Sequence, residues 1–305
     1  MTPPATVVCI GIANHDVIAS IRDPITPDGR ILADDIVEGG GGNAATASVA
    51  LARLGVPTAF IGRTGDDPIG DSIRARLLRE GIDISGVRSI PGGRSPSSVV
   101  LVNLNTAERS IIACPAIGQR IELHPDELVA CASATWIHLD QAGYATAQQI
   151  RAARIATPIS LDAGNPIPDL ELRLIHLYAP TETALCRTMQ TQDIDTALRR
   201  ALDAGPRIVA VTRGSEGSLA AIRDERTGEL KIWEEPAFRI PSIVSTLGAG
   251  DVFHGALLAA LVHGLTLPAA LRYSNAAAAL SCRGMDARSA IPTGGELAAF
   301  LERAV

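Results

Sequence analysis

One lysine, Lys231, serves the whole chain of 305 residues, and it stands in a Lys-Ile-Trp-Glu-Glu stretch far from any glycine-rich turn. A Walker A loop needs Gly-Lys-Ser or Gly-Lys-Thr, and Schiff-base chemistry needs a lysine in a pocket, so the scarcity argues against both. Any phosphate handled here must be held by backbone amides, arginines and metal. The five cysteines, Cys9, Cys114, Cys131, Cys186 and Cys282, are odd in number, scattered and without a CxxC pair. That pattern supports neither a disulfide framework nor a zinc site. His15, His138, His254 and His263 also lack metal-ligand spacing and read as packing or surface residues. No Lys/Arg cluster appears and the net charge is −6, which disfavours a nucleic-acid partner. No apolar run is long enough for a bilayer, which gives no membrane partner and makes the cytoplasm the expected location. No basic residue precedes the short apolar run at 7–12, which reads as a first strand rather than a signal peptide.

Apolar residues make up 47% of the chain and charged residues 20%, a balance that calls for a soluble globular protein with a large core. Short apolar runs alternate with helical patterns, which predicts an α/β fold with a mostly parallel sheet and helices on both faces. Strands are expected at 7–12, 58–62, 135–140, 158–162, 175–178 and 207–212. Helices are expected at 42–54 (closed by Gly55), 69–80 (closed by Gly81), 144–155, 182–188 and 193–204. Two segments break the alternation. The stretch at 97–113 looks like a β-hairpin around a polar Asn-Thr-Ala-Glu turn, and 17–38 contains strand candidates around Pro27-Asp28-Gly29. Together they predict a small sheet at the edge of one α/β domain spanning 1–305, suited to serve as a lid or a dimer surface.

The most informative stretch is Ser-Thr-Leu-Gly-Ala-Gly-Asp at 245–251, which runs into an apolar helix from Val252. Gly248 and Gly250 allow a tight turn and close ligand approach, and the first amides of the helix are unpaired, so the stretch forms an anion nest. Asp251 sits at its lip, placed to accept a proton from a hydroxyl beside a bound phosphate. The competing description is an ordinary glycine loop with Asp251 as a helix cap. A second signal is the glycine run at 39–42, followed by Asn43 and a helix of small residues. There is no clean GxGxxG and no acidic residue at ribose spacing, so a dinucleotide fold is disfavoured. Small residues here instead let a polyhydroxylated ligand lie against backbone, with the Asn43 amide donating and accepting.

Four motifs in order resemble those of the ribokinase-like (PfkB) carbohydrate kinases: Asn-His-Asp at 14–16, Gly-Gly-Asn at 41–43, Thr-Arg-Gly-Ser-Glu-Gly at 212–217 and the 245–251 stretch. The resemblance covers nearly the whole chain and implies a three-layer ribokinase-like sandwich carrying a small β-sheet lid. Gly-Gly-Asn and Trp-Ile-His-Leu-Asp at 136–140 look most like the ketohexokinase subgroup, and the stretch from Gly250 to Ala256 also looks like sulfofructose kinases. By resemblance, Asp251 is the base, and the amides of Gly248, Ala249 and Gly250 stabilise the transferring phosphoryl group. Asn14, Asp16, Gly41, Gly42 and Asn43 hold the sugar hydroxyls, with Asp140 fitting either the sugar or a strand end. Thr212, Gly214 and Gly217 border the ATP phosphates and ribose, and Asn275 lies near the adenine. The implied cofactors are ATP and Mg²⁺, with a monovalent cation (K⁺) in many relatives, and the implied assembly is a homodimer through the lid.

There are departures from the family pattern. Ser245 replaces the usual Asp, which bears on the monovalent-cation loop, and Thr181 and Ala184 replace the ends of an Asn-x-x-Glu motif that bears on Mg²⁺ placement. Arg30 and Arg109 fall in the predicted lid segments, where they would supply the cations a sulfonated sugar needs, although a solvated surface position is the commoner outcome for an arginine on a hairpin. Two rivals stay open: a nucleoside kinase on the same scaffold, disfavoured by the 3% aromatic content, and a non-catalytic sugar or nucleotide sensor.

Overall fold

The first strand, β1 (Val7–Ile10), is buried along its whole length, as a central strand of a parallel sheet must be. Val8 and Ile10 pack into the core on one face of the sheet, Val7 and Cys9 into the core on the other. The computed structural model describes residues 5–106, 108–116, 120–224 and 226–304, so Ala107 in the predicted hairpin turn lies outside the described residues. The chain continues through β2 (Asn14–Ile21), β3 (Asp35–Gly41), α1 (Asn43–Arg53), β4 (Thr58–Gly65), α2 (Pro68–Arg79) and β5 (Asp83–Ile90). Next come β6 (Ser97–Asn103), β7 (Arg109–Cys114), α3 (Pro125–Ser133), β8 (Trp136–Leu139), α4 (Ala147–Ala152) and β9 (Ile159–Asp162). They are followed by β10 (Leu177–Ala179), α5 (Glu182–Thr188), α6 (Ile194–Asp203) and β11 (Ile208–Thr212). The last elements are β12 (Ser218–Arg223), β13 (Leu230–Glu235), α7 (Ala249–Val262), α8 (Leu267–Ser281) and α9 (Gly294–Arg303).

The nine strands of the main sheet run in the order β13-β12-β11-β10-β9-β8-β1-β4-β5. All neighbours from β11 to β5 are parallel, and only the β11-β12 and β12-β13 pairs are antiparallel. Helices cover both faces, which makes the expected three-layer α/β sandwich. A separate four-stranded sheet, β3-β2-β6-β7, bears out the expected small sheet, with the β6-β7 hairpin pairing Ser97 with Cys114. One expectation is corrected. Around Pro27-Asp28-Gly29 the chain makes a turn within the 22–34 connection, with Asp28 at φ 56. Proline fixes the first turn position and aspartate tolerates the left-handed one, so this sequence reverses direction instead of extending. The strands flank the turn, and Asn14 and Asp16 therefore ride on a strand of the small sheet itself.

Two helices bring the decisive residues together. A Cβ on Gly255 of α7 would lie 2.4 Å from the Ala47 carbonyl oxygen of α1, so the two helices touch backbone to backbone. The Ala and Ser run of α1 makes that approach possible, and it sets the N-termini of α1 and α7 side by side. The inner face of the small sheet packs over the same region, where Ile18, Val100 and Val102 cluster with Leu247 and Ala287.

Candidate active site

The 245–248 turn is tied by the Ser245 hydroxyl, which accepts the Leu247 N–H at 3.1 Å. Ser245 is thus an internal brace of the turn, buried from solvent. Gly248 caps α7 at φ 75, a left-handed conformation that favours glycine. Val252 N–H closes the first helical bond onto Gly248, and Ala249 N–H turns to the Thr246 carbonyl at 3.3 Å. Among the described residues the N–H groups of Gly248, Gly250 and Asp251 have no backbone acceptor, so of the expected Gly248–Gly250 set Ala249 alone turns its N–H inward.

Ala249 and Gly250 of this turn line a cleft of about 1110 Å³. Thr212, Gly214, Gly217, Ala249, Gly250 and Asn275 all line it, so the residues expected to hold a nucleotide share one cavity with the helix N-terminus. Gly217 is at φ 99, and a Cβ there would meet the Glu235 carbonyl at 2.2 Å, so the close approach of the chain entering β12 to the end of β13 requires glycine. Asn275 donates from Nδ2 to the Glu235 and Pro236 carbonyls at 2.9 and 3.1 Å, which fixes the cleft wall from behind. Thr181, at the altered Asn-x-x-Glu position, caps α5 by accepting the Ala184 N–H. Arg109 reaches from β7 to the Thr246 hydroxyl at 2.9 Å and also lines the cleft, whereas Arg30 is exposed in the 22–34 connection.

A buried polar cluster forms where β2 and β3 meet the start of α1. Asp16 is buried, and its Oδ1 accepts hydrogen bonds from Asn14 Nδ2 and, at 2.5 Å, from the Ser98 hydroxyl. A Cβ on Gly41 would sit 2.1 Å from Asp16 Oδ2, so the glycine run serves to let this carboxylate lie on bare backbone. Arg288, also buried, donates to the Gly41 carbonyl at 2.5 Å and to the Thr46 hydroxyl at 3.2 Å. Burial pushes its guanidinium down to about 10, against the pull of Asp16, Asp286 and Asp251.

Asn43 joins the two sides. Its Nδ2 donates to Asp251 Oδ1 at 2.9 Å and to Asp162 Oδ2 at 3.2 Å. Burial and then the charge of Asp162 push the Asp251 carboxyl up to about 7, with His254 pulling the other way. A carboxylate so raised is matched to proton transfer near neutrality. Burial opposes the charge on Asp162, yet His254, with Nδ1 3.1 Å from its Oδ2, holds it well below the ordinary carboxylate range.

Of the two roles open to Asp140, the hydrogen bonds favour the strand end. Its two oxygens accept four backbone N–H groups, from Ile12 at 2.7 Å, Ala44 at 3.3 Å, and Ala142 and Gly143 both at 2.9 Å. It is fully buried and acts as a clamp at the ends of β1 and β8. Ser98, Asp162, His254 and Arg288 escaped sequence reasoning. For Asp162 there was a usable signal, since it ends β9 at the carboxyl edge of a parallel sheet, where ligands bind in α/β folds.

The model of the pfkB family carbohydrate kinases matches residues 4–294, and the chain belongs to that family. It is an ATP-dependent carbohydrate kinase with the ribokinase fold. A ribokinase of Haemophilus influenzae is 27% identical over 98% of this chain and 99% of that one. An ATP-dependent ribose-1-phosphate kinase of Halopiger xanaduensis is 29% identical over 97% of both. The structure of Arabidopsis thaliana ribokinase complexed with ribose and ATP superposes with a TM-score of 0.85 at 28% identity, covering 99% of each chain. The mouse ketohexokinase, at 25%, is also similar, so the expected ketohexokinase likeness holds while these ribokinases are nearer.

Among the described residues no helix is long and apolar enough to cross a membrane, and no three His, Cys, Asp or Glu side chains group as a metal cage. The acids lining the cleft, Glu182 and Glu216, are both ion-paired to Arg213. Such a cleft fits a Mg²⁺ ion that is carried by phosphate oxygens and water, the usual manner of nucleotide-bound magnesium.

Proposed function

We propose that this enzyme transfers the γ-phosphoryl group of ATP to a hydroxyl of a small free sugar of the ribose or ketose class. The observation that carries the reading is the position of Asp251 at the start of α7, between the cleft that Ala249 and Gly250 line and the buried polar cluster of Asp16, Arg288 and Asn43. In the step, the sugar hydroxyl gives its proton to Asp251 and its oxygen bonds to the γ-phosphorus. The bond from that phosphorus to the β-bridging oxygen breaks, and ADP leaves. The unpaired amides of Gly248, Gly250 and Asp251 face the charge spread over the transferring group, and Arg109 adds a cation at the cleft rim. Mg²⁺ neutralises the phosphate oxygens when the nucleotide is bound. The Arabidopsis relative bound to ribose and ATP supports both partners of this reading. The Ser245 hydroxyl is engaged in the turn, and K⁺ stays outside the mechanism.

ATP consumption measured with ribose, fructose, other ketoses and aldoses, and nucleosides tests the assignment. Turnover on a free sugar is expected, and turnover on nucleosides alone would replace it with the nucleoside-kinase reading.

Asp16, held rigid by Asn14 and Ser98, offers its Oδ2 to a diol. Asp16→Ala should raise the sugar KM about 10- to 100-fold, the effect of losing hydrogen bonds to a charged group. The ATP KM should stay within about twofold, and an unchanged sugar KM in steady-state kinetics would remove Asp16 from the pocket.

The assembly we infer is a homodimer formed through the small sheet. Val17, Val99 and Ile112 stand in cross-strand register on its outer face, with Val99 43% and Ile112 63% exposed. Val99→Asp with Ile112→Asp should shift the mass by light scattering from dimer to monomer, and a monomeric wild type would refute the assembly.

A further inference from the structure

Beneath the proposed base lies a buried set of charges that the transfer step itself does not use. His254 follows Asp251 by three residues on α7, so both side chains leave the same face of the helix. Its imidazole is buried, with the edge of Phe253 at a centroid distance of 5.9 Å and His138 of β8 at 6.3 Å. From β9, Asp162 Oδ2 lies 3.1 Å from its Nδ1. The same Asp162 oxygen accepts one hydrogen of the Asn43 amide, and Asp251 Oδ1 accepts from that same nitrogen. Asp162 Oδ1 accepts the Gly164 N–H at 3.0 Å.

We propose that His254 is a positioning residue for the catalytic base, acting through Asp162 and Asn43. An Asn side chain carries two N–H groups on one edge and a carbonyl on the other, and it presents the donor edge only where both neighbours are acceptors. Ionised Asp162 is acceptor-only. A protonated Asp162 could donate instead, and the Asn43 amide would then turn its carbonyl toward it, taking the donor edge away from Asp251. The imidazolium of His254 keeps Asp162 ionised, so the donor edge of Asn43 stays on Asp251 Oδ1 and Oδ2 is left for the incoming hydroxyl.

The charges around His254 agree with this arrangement. Burial disfavours its cation, but Asp162 from β9 and Asp251 from its own helix together raise it above the ordinary imidazole range. His138, the titratable neighbour on β8, is pushed down to about 4, by burial first and then by the charge of His254, so it stays neutral. Asp140, also at the end of β8, acts on Asp162 and Asp251 as a second nearby carboxyl. Asn43 packs from α1 and brings no charge.

This inference rests on Asp251 being the base, so Asp251→Asn is assayed beside it. His254→Gln should lower kcat about 10- to 100-fold, the scale of a misoriented reacting group, with the ATP KM within about twofold. The acidic limb of its kcat/KM profile should move to higher pH, because without the His254 cation the Asp162–Asp251 pair keeps a proton that disables the base whichever carboxyl holds it. In the double variant Asp162→Asn/His254→Gln that limb should return to the wild-type position or below. Its kcat should stay near the level of the single variant, since both changes break the same link to Asn43. A folded His254→Gln with wild-type kcat and limb overturns the proposal, as does a double variant whose loss is the product of the two singles. Should His254→Gln fail to fold, imidazole ¹⁵N shifts of the wild-type enzyme decide: a His254 cation at pH 7 supports the proposal and a neutral ring overturns it. An active Asp251→Asn would fail the base reading itself. An inactive Asp251→Asn with an unaffected His254→Gln fails only this inference.

Discussion

Asp251→Asn should lower kcat by about 10³-fold or more while leaving the affinity for a non-hydrolysable ATP analogue within about twofold. The amide keeps the shape of the side chain and its place in α7, but it cannot take a proton at neutral pH. The nucleotide cleft is lined by Thr212, Gly217, Gly250 and Asn275 and not by the Asp251 side chain, so binding of the triphosphate should survive. Wild-type activity has a matching signature in pH. Burial and Asp162 push the Asp251 carboxyl up to about 7, so the fraction able to accept a proton falls as pH drops through that value. The kcat/KM profile should therefore bend near pH 7 and lose tenfold per unit below it. A single titration accounts for that slope. A profile flat from pH 5 to 8, or a variant with most of its turnover intact, would mean that the proton goes elsewhere.

Much of this arrangement could be read from the chain before folding, because glycine loops and helix starts are local features. The turn at 245–251, the Asn14/Asp16 pair and the small-residue helix after Asn43 each declare themselves within a few residues. The charges that tune the site do not. Asn43 meets Asp162 across a sequence separation of 119 and Asp251 across 208, and Arg288 meets Gly41 across 247. Such contacts exist only once parallel strands and two close helices have been stacked, and no spacing in the sequence encodes them. Asp140 and Asp162 show the consequence. Both follow short buried strands at the same edge of the sheet, yet one is surrounded by backbone N–H groups and the other by Asn43 and His254. Metal-ligand spacing is blind to His254, whose partner is a single carboxylate, Asp162. The 22–34 connection failed for a different reason. The apolar residues beside Pro27 suggested strand, while Pro27 and Asp28 themselves demand a turn, and the backbone obeyed the stiffer residues.

A pair of glycine substitutions separates the shape of the amide nest from the space in front of it. Gly248 is at φ 75, and a Cβ there would lie 2.6 Å from the Ala287 Cβ and 3.0 Å from its Cα. Ala287 cannot retreat freely, since it packs with Leu247 under Ile18 and Val100 of the small sheet. Gly248→Ala therefore adds about 1–2 kcal/mol of left-handed strain together with a backbone clash. The turn must shift, and with it the Gly250 and Asp251 amides. Displacing aligned donors from a transferring group costs about 10²- to 10³-fold in kcat, and the melting temperature should fall by several degrees, on the order of 2–4 °C per kcal/mol. Gly250 differs, because a Cβ there meets nothing within 4 Å and the residue already lies in the helix. Gly250→Ala should leave the melting temperature unchanged or slightly raised, by the greater helix propensity of alanine. Its methyl group, however, projects from a residue that lines the nucleotide cleft, so the ATP KM should rise about tenfold with the fold intact. Thermal melts and steady-state kinetics on both variants distinguish the two effects. If Gly248→Ala retained wild-type kcat despite a lowered melting temperature, the amides of this turn would have no part in phosphoryl transfer, and the charge of the transition state would have to rest on Arg109 and the metal alone.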